Sequence, residues 1–380
     1  MEDIVYINTL IILVIVPSIL ARRRVEYLTS MVLRKKVHYC TPNEIRSLIQ
    51  AKMLPGRKPN HLEPPDSRSL MNQSLKRTFG IQNAFTTSDE IYVVQALTLR
   101  AILKVFFFFD KEDGLQDVEF KQLGELAQAI NDAWIKSKSE NNLLEFRDNR
   151  YLRDTLTNVM PRADILDPRK NPLNFILPGF ETMWRVVLRG FIEVAYKTGK
   201  EHPSWRNALI LYSQEPTAEV FNRAYPPDVV SANFLVKEML RVYPPTKRIY
   251  RAWMDGRSAE PLKLAADIES CYLSTNIWGP TAEICDPLRW NNVTNEQQEA
   301  FLPFGSKPFE CPAKPVFGPR LIGLLVGILI AAFPDGCKLI SSDAGEVFGP
   351  ERLSNKRCMG RSLKLSIPSN YDSTPEIDRK

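Results

Sequence analysis

The sequence predicts a mainly α-helical fold with a minor β component, preceded by a single N-terminal transmembrane helix. Three observations predict it. Apolar residues recur at helical spacing through 90–108, 119–136, 203–213 and 229–243. The segment 171–197, NPLNFILPGFETMWRVVLRGFIEVAYK, is apolar all round and is therefore expected to cross the interior. Extended pattern is confined to short pieces at 247–253 and 271–277.

Taken in order, the chain opens with an apolar run at residues 4–20, IVYINTLIILVIVPSIL. As a helix it would span about 25 Å at ~1.5 Å per residue, against a hydrocarbon core of about 30 Å. A cleaved signal peptide wants a basic start and a small-residue cleavage site. Here the start is acidic (Glu2, Asp3) and the positive charge follows (Arg22, Arg23, Arg24, then Arg34, Lys35, Lys36). Residues 1–21 are therefore expected to be an uncleaved signal anchor, with everything after Arg22 in the cytosol. The polar, proline-rich residues 40–75 read as a connector. Four consecutive phenylalanines at 106–109 end the first helical segment and meet the acidic DKEDGLQDVE. A basic, proline-punctuated connector is expected between 136 and 171. Pro178 removes one backbone hydrogen bond from the long helix and is expected to kink it. The 229–243 helix stops at Pro244–Pro245. The last apolar run, LIGLLVGILIAAF at 321–333, is too short to span a membrane and is expected to be a buried core helix.

Composition narrows the function. Net charge is 50 − 44 = +6, a mild basic balance that suits an acidic partner or an anionic membrane surface. No basic stripe is interleaved with aromatics, so nucleic acid is not an expected partner. The six cysteines (Cys40, Cys271, Cys285, Cys311, Cys337, Cys358) show neither CxxC nor zinc spacing. They read as thiols of a reducing compartment. Three widely separated histidines argue against a histidine-based metal cluster.

The chemistry concentrates in four places. FLPFGSKPFECPAKP at 301–315 surrounds Cys311 with prolines, phenylalanines and a glycine, the composition of a shaped loop, and a helix is expected to start near Pro315–Pro319. A thiolate held on such a loop is a metal ligand or a nucleophile; a small buried hydrophobe is the inert alternative. EMLR places Glu238 and Arg241 three apart on one helix face, where a solvated pair is the default reading. Pro287-Leu288-Arg289-Trp290 closes the segment 276–290, and PGFET at 178–182 puts Glu181 and Thr182 beside the kink.

In that order the four motifs resemble the cytochrome P450 family, the haem-thiolate monooxygenases, with residues 170–335 best matched. The resemblance implies a P450-like fold over residues 22–380, abbreviated before residue 171. Cys311 would be the axial thiolate on haem iron, and Phe304 and Gly305 would shape its loop. Arg251 and Lys307 would serve as haem-propionate partners. Glu238, Arg241 and Arg289 would form a buried structural triad. Thr182 and Glu181 would be the catalytic pair that delivers protons to bound dioxygen; alternatively Thr182 serves only the backbone around Pro178. The resemblance further implies a lipophilic small-molecule substrate, a secondary-metabolism role like that of fungal members, and an NADPH-dependent flavoprotein reductase met through Lys307, Lys314 and Arg320. The N-terminal anchor would place it in the endoplasmic reticulum membrane, with the catalytic domain cytosolic.

The chain departs from the family pattern at several positions. Lys307 replaces a glycine, Phe309 a basic residue and Ala313 a glycine, while Met183 stands where a hydroxyl follows the threonine. Two other readings stay open: a haem protein without oxygen activation (an isomerase, a cyclase or a decayed relative), and a haem-free membrane scaffold in which Cys311 is an inert core thiol.

Overall fold

The computed structural model describes residues 90–107, 118–137, 145–253, 262–305, 311, 313, 316–333, 338–341, 349, 351–354 and 363–366. The expected anchor at residues 4–20 lies outside them. None of the described helices is long and apolar enough to cross a membrane.

Helical periodicity becomes helix close to the expected limits. α1 (Glu90–Phe107) and α2 (Phe120–Lys136) pack against each other, and Gln122 accepts the Glu119 amide at 2.9 Å to start α2. The expected connector between 136 and 171 instead contains α3 (Arg150–Val159). Its charged residues mask a helical stripe, because Leu152, Leu156 and Val159 are buried on one face. Asn149 accepts the Leu152 amide at 3.2 Å and caps it.

α4 (Leu173–Tyr196) is the interior helix, continuous through Pro178 and buried on almost every residue from Met183 to Ala195. A 3-10 turn (Thr198–Glu201) leads into α5 (Pro203–Gln214), which carries proline in its first turn, where an amide would be unpaired anyway. The short α6 (Ala218–Asn222) follows, then α7 (Ala232–Val242), capped by Ser231 on the Phe234 amide at 3.2 Å.

β1 (Arg248–Trp253) and β2 (Leu262–Asp267) form one antiparallel pair. The expected strand at 271–277 is helical: α8 (Ile268–Tyr272) and α9 (Thr275–Trp278) occupy it. The cause is local, since Asp267 accepts the Ser270 amide at 3.0 Å and turns the chain out of β2. After a 3-10 turn at Pro287–Asn291 come α10 (Asn295–Ala300) and α11 (Phe317–Ala332). β3 (Lys338–Ser341) pairs antiparallel with β4 (Leu363–Ser366). Among the described residues the protein is thus mainly helical, with two two-stranded sheets.

α4, α5 and α11 meet around one apolar core. α11 approaches α5 so closely that a Cβ on Gly327 would lie 2.2 Å from the Leu209 carbonyl oxygen. Backbone cannot yield as a side-chain tip can, so this contact requires glycine. The stretch around 349–354 is strapped to the core: Arg189 donates to the Ser354 carbonyl at 3.0 and 2.8 Å, and Lys197 to the Gly349 carbonyl at 2.6 Å. Leu353 is fully buried beneath it.

Candidate functional site

The densest polar constellation is built on α7. Helical spacing stacks Glu238 and Arg241 one turn apart, and the amphipathic face that carries them turns inward; both are 0% exposed. The Glu238 carboxylate accepts five hydrogen bonds. Arg241 gives two, from Nε at 3.0 Å and Nη2 at 2.7 Å; Arg289 Nε gives one at 3.0 Å. The remaining two come from Trp290 Nε1 and the Asp286 amide, each at 2.9 Å.

The arginines are paired in turn with backbone. Arg241 Nη1 donates to the carbonyls of Tyr272 at 2.7 Å and Ala282 at 2.6 Å, and its guanidinium lies 5.0 Å from the Trp278 ring centre. Arg289 reaches the carbonyls of Trp278 at 3.3 Å and Thr281 at 3.0 Å. The default reading of a solvated Glu238–Arg241 pair is overturned, because 268–290 folds over it and excludes water. A carboxylate so fully paired is a device for holding 272–290 against α7. It has no lone pair left for chemistry.

Sequence reasoning missed Trp290 as a donor to the hub, although the indole was in plain view beside Arg289. The carbonyls of residues 272, 282 and 284 were beyond it, since every residue type carries one.

Cys311 follows a different logic. It is exposed, whereas Cys285 is buried and Cys271 is half-buried. Burial, reinforced by Glu193 and Glu238, pushes the Cys285 thiol well above its ordinary range, and burial also raises Cys271. The Cys311 amide donates to the Phe304 carbonyl at 2.8 Å, and the Gly305 amide to the Leu302 carbonyl at 3.1 Å. Gly305 takes φ +73°, a backbone state that glycine adopts at no steric cost. The Phe304 ring lies over the first turn of α11, where a Cβ on Gly318 would come within 2.7 Å of it. Phe304 and Gly305 therefore hold the loop that carries Cys311. Being exposed, Cys311 is not a buried core residue.

On α4, Thr182 is half-buried and donates from Oγ1 to the Pro178 carbonyl at 3.2 Å. Glu181 is 2% exposed. Successive helical residues point about 100° apart, so the two adjacent groups occupy different environments. Pro178 itself is exposed, and Gly179 lies against Ile102 and Phe106 of α1. Two of the four phenylalanines find roles here. Phe106 packs on Phe317 of α11, with ring centres 5.9 Å apart, and Phe107 meets Phe175 of α4 edge-on at 6.1 Å. Phe108 and Phe109 lie outside the described residues.

Arg251 sits on β1 opposite Leu264 of β2. Lys307 and Lys314 lie outside the described residues. Arg320 corrects an expectation: it is buried on α11, 7% exposed, and so presents no charge to a reductase. The reason is helical phase, which turns position 320 toward α5, where its carbonyl accepts the Tyr212 hydroxyl at 3.2 Å.

Among the described residues no group of three or more His, Cys, Asp or Glu side chains lies together as a metal site. No protein-family model matches the chain. Cytochrome P450 4B1 of Rattus norvegicus is 33% identical over 85 residues, and the Homo sapiens protein of the same name is 32% identical over the same length. Over those 85 residues the chain is similar to the cytochromes P450. Each alignment takes in 20% of this chain, and the chain spans 16% of the length of those P450 relatives. The crystal structure of CYP175A1 from Thermus thermophillus superposes with a TM-score of 0.44 at 16% identity, covering 72% of this chain and 66% of that one.

The residues present fit a haem of the P450 kind. An exposed thiol on a loop with its amide tied down is the donor such a haem iron requires. The Phe304 carbonyl ties the Cys311 amide, and the Phe304 ring packs over Gly318 at the start of α11, so the loop is held from both sides.

Proposed function

We propose that this chain is a haem-thiolate monooxygenase that oxidises a lipophilic small molecule by hydroxylation, epoxidation or desaturation. One observation carries the reading. A saturated ion hub at Glu238 is followed along the chain by an exposed cysteine whose loop is tied down by its own backbone.

Cys311 would hold the haem iron through its thiolate. When bound, haem supplies dioxygen activation, and a thiolate ligand pushes electron density to iron in favour of O–O cleavage. The chain's own residues do the rest. The Thr182 hydroxyl, held by the Pro178 carbonyl, presents an oxygen that accepts and passes a proton at the edge of α4. Glu181, buried on the same helix, is the proposed carboxylate relay to the interior. Arg251 and Lys307 supply positive charge for the haem propionates. Glu238, Arg241 and Arg289 keep the fold and do not touch substrate.

The full assignment has three further parts. Residues 1–21 anchor the chain in the endoplasmic reticulum membrane and leave the P450-like domain of residues 22–380 in the cytosol. Electrons come from an NADPH-dependent flavoprotein reductase. The substrate belongs to secondary metabolism. The apolar run 4–20 with its trailing arginines supports the anchor, the mild basic balance suits an acidic reductase surface, and the substrate class rests on the resemblance to fungal members.

The test is a carbon monoxide difference spectrum of the reduced full-length protein beside Cys311→Ala. A strongly red-shifted Soret band that disappears in the variant is the expected result. Stoichiometric haem with no red-shifted band, or no haem at all, overturns the assignment.

A further inference from the structure

Among the described residues, Tyr272 hydrogen-bonds both to the Glu238 hub and to the segment that leads into the Cys311 loop. Tyr272 ends α8 and is fully buried. Its carbonyl accepts Arg241 Nη1 at 2.7 Å, which ties it to the hub. Its hydroxyl oxygen accepts the Leu302 amide at 2.7 Å. Its ring packs on Phe301, 5.7 Å between centres, and Phe301 in turn packs on Trp290 at 4.6 Å.

From Leu302 the path to the cysteine is short. The Leu302 carbonyl accepts the Gly305 amide, and the Phe304 carbonyl accepts the Cys311 amide. The Phe304 ring then rests over Gly318 at the start of α11. Any residue at 272 would offer the carbonyl that Arg241 uses. Only a side chain with an acceptor at phenol length offers the contact to Leu302.

We propose that Tyr272 is the positioning residue that sets the Cys311 loop against the Glu238 hub, through its hydroxyl and the Leu302 amide. The role rests on the haem-thiolate reading of Cys311, because it is the orientation of the thiolate toward iron that the anchor controls. Burial pushes the Tyr272 phenol well above its ordinary range, so the group remains a neutral acceptor at any pH the protein meets. Cutting the anchor leaves the hub intact and releases the loop at its first hydrogen bond.

The test compares haem-loaded full-length protein with Tyr272→Phe, by amide hydrogen exchange and by the carbon monoxide difference spectrum. Exchange across Leu302–Cys311 is expected to quicken about fivefold, the effect of one lost backbone hydrogen bond. Amides of α7 should keep their wild-type rates. The red-shifted fraction of the Soret band is expected to fall at least about twofold per haem bound, since a looser loop presents the thiolate less often. Tyr212→Phe, which removes another buried hydroxyl, should leave both readouts unchanged.

A purely structural role for Tyr272 would quicken exchange in α7 and the loop together and leave the band position of retained haem unaltered; that result overturns the proposal. So does wild-type exchange in Tyr272→Phe. If the wild-type protein takes no haem, the haem-thiolate reading fails by itself, and exchange in the haem-free chain still decides the anchor. Should Tyr272→Phe not fold, the α-hydroxy acid analogue at Leu302 swaps the amide N–H for an ester oxygen and keeps every side chain. Faster exchange between Gly305 and Cys311 supports the anchor, and an unchanged rate refutes it.

Discussion

Glu238 and Cys311 stand at opposite extremes of solvation in the same molecule. Glu238 is fully buried and accepts five hydrogen bonds, while Cys311 is exposed and positioned through its backbone amide. The first is rigid because every acceptor position of a buried carboxylate is paired, and losing the anion would strand two guanidiniums. The second keeps its side chain accessible because its position is set by main chain. The difference teaches how a fold can keep a thiol in the open: its polar saturation lies elsewhere, on a buried carboxylate whose lone pairs are all taken.

The most severe way to break this arrangement is Glu238→Ala. Two guanidiniums, one fully buried and one nearly so, would lose their common anion. Breaking a buried pair in this way costs about 3–5 kcal/mol, which chemical denaturation would read as loss of most of the folding free energy. A cost below about 1 kcal/mol would mean that water reaches the hub.

Trp290→Phe is the milder cut. It keeps the aromatic packing on Phe301 and removes one donor to a carboxylate, an effect of about 1.5–3 kcal/mol. Because Arg241 and Arg289 still hold Glu238, the variant should fold, with a lower denaturation midpoint and an unchanged denaturant slope.

Cys285 sharpens the contrast through pH. Its folded-state thiol sits well above the unfolded value of about 8.5, so on raising pH the unfolded chain releases its proton first. The stability it contributes is fully present below about pH 8.5 and is lost as pH rises above it, by up to about 1.4 kcal/mol per pH unit. Cys285→Ala should flatten that alkaline slope between about pH 8.5 and 9, below the range in which tyrosines of the unfolded chain, with pKa about 10, ionise appreciably. Denaturation midpoints of the wild type and of Cys285→Ala across that range check it.

Thr182→Val should have the smallest effect on folding, within about 0.5 kcal/mol, because the hydroxyl is half-buried and its acceptor already belongs to the helix. Under the proposed function the same change should uncouple electron input from product formation, measured as reductant consumed per product released. Full coupling in Thr182→Val would remove Thr182 from the proton path.

Much of this was legible from residue order. The helix limits of α1, α2, α4, α5, α7 and α11 followed from apolar periodicity and proline stops, and β1 fell where extended pattern was expected. α3 was overlooked because its charges outnumber its apolar stripe. The helices α8 and α9 were mistaken for strand because a capping aspartate outweighs β-branched and aromatic content over a few residues. At the candidate site, the spacing of Glu238 and Arg241 marked one helix face, and the prolines and glycine marked a shaped loop around Cys311.

By itself, then, the sequence determined which residues could share a face and which stretches were apolar enough to be buried, since both follow from the 3.6-residue period and from side-chain transfer energies. Only the tertiary structure decided that Glu238 would be sealed from water by 268–290, that Arg320 would turn inward, and that Tyr272 would bridge hub and loop. Those outcomes depend on contacts between segments distant in the chain and on backbone carbonyls that every residue carries alike, and neither leaves a mark on local composition.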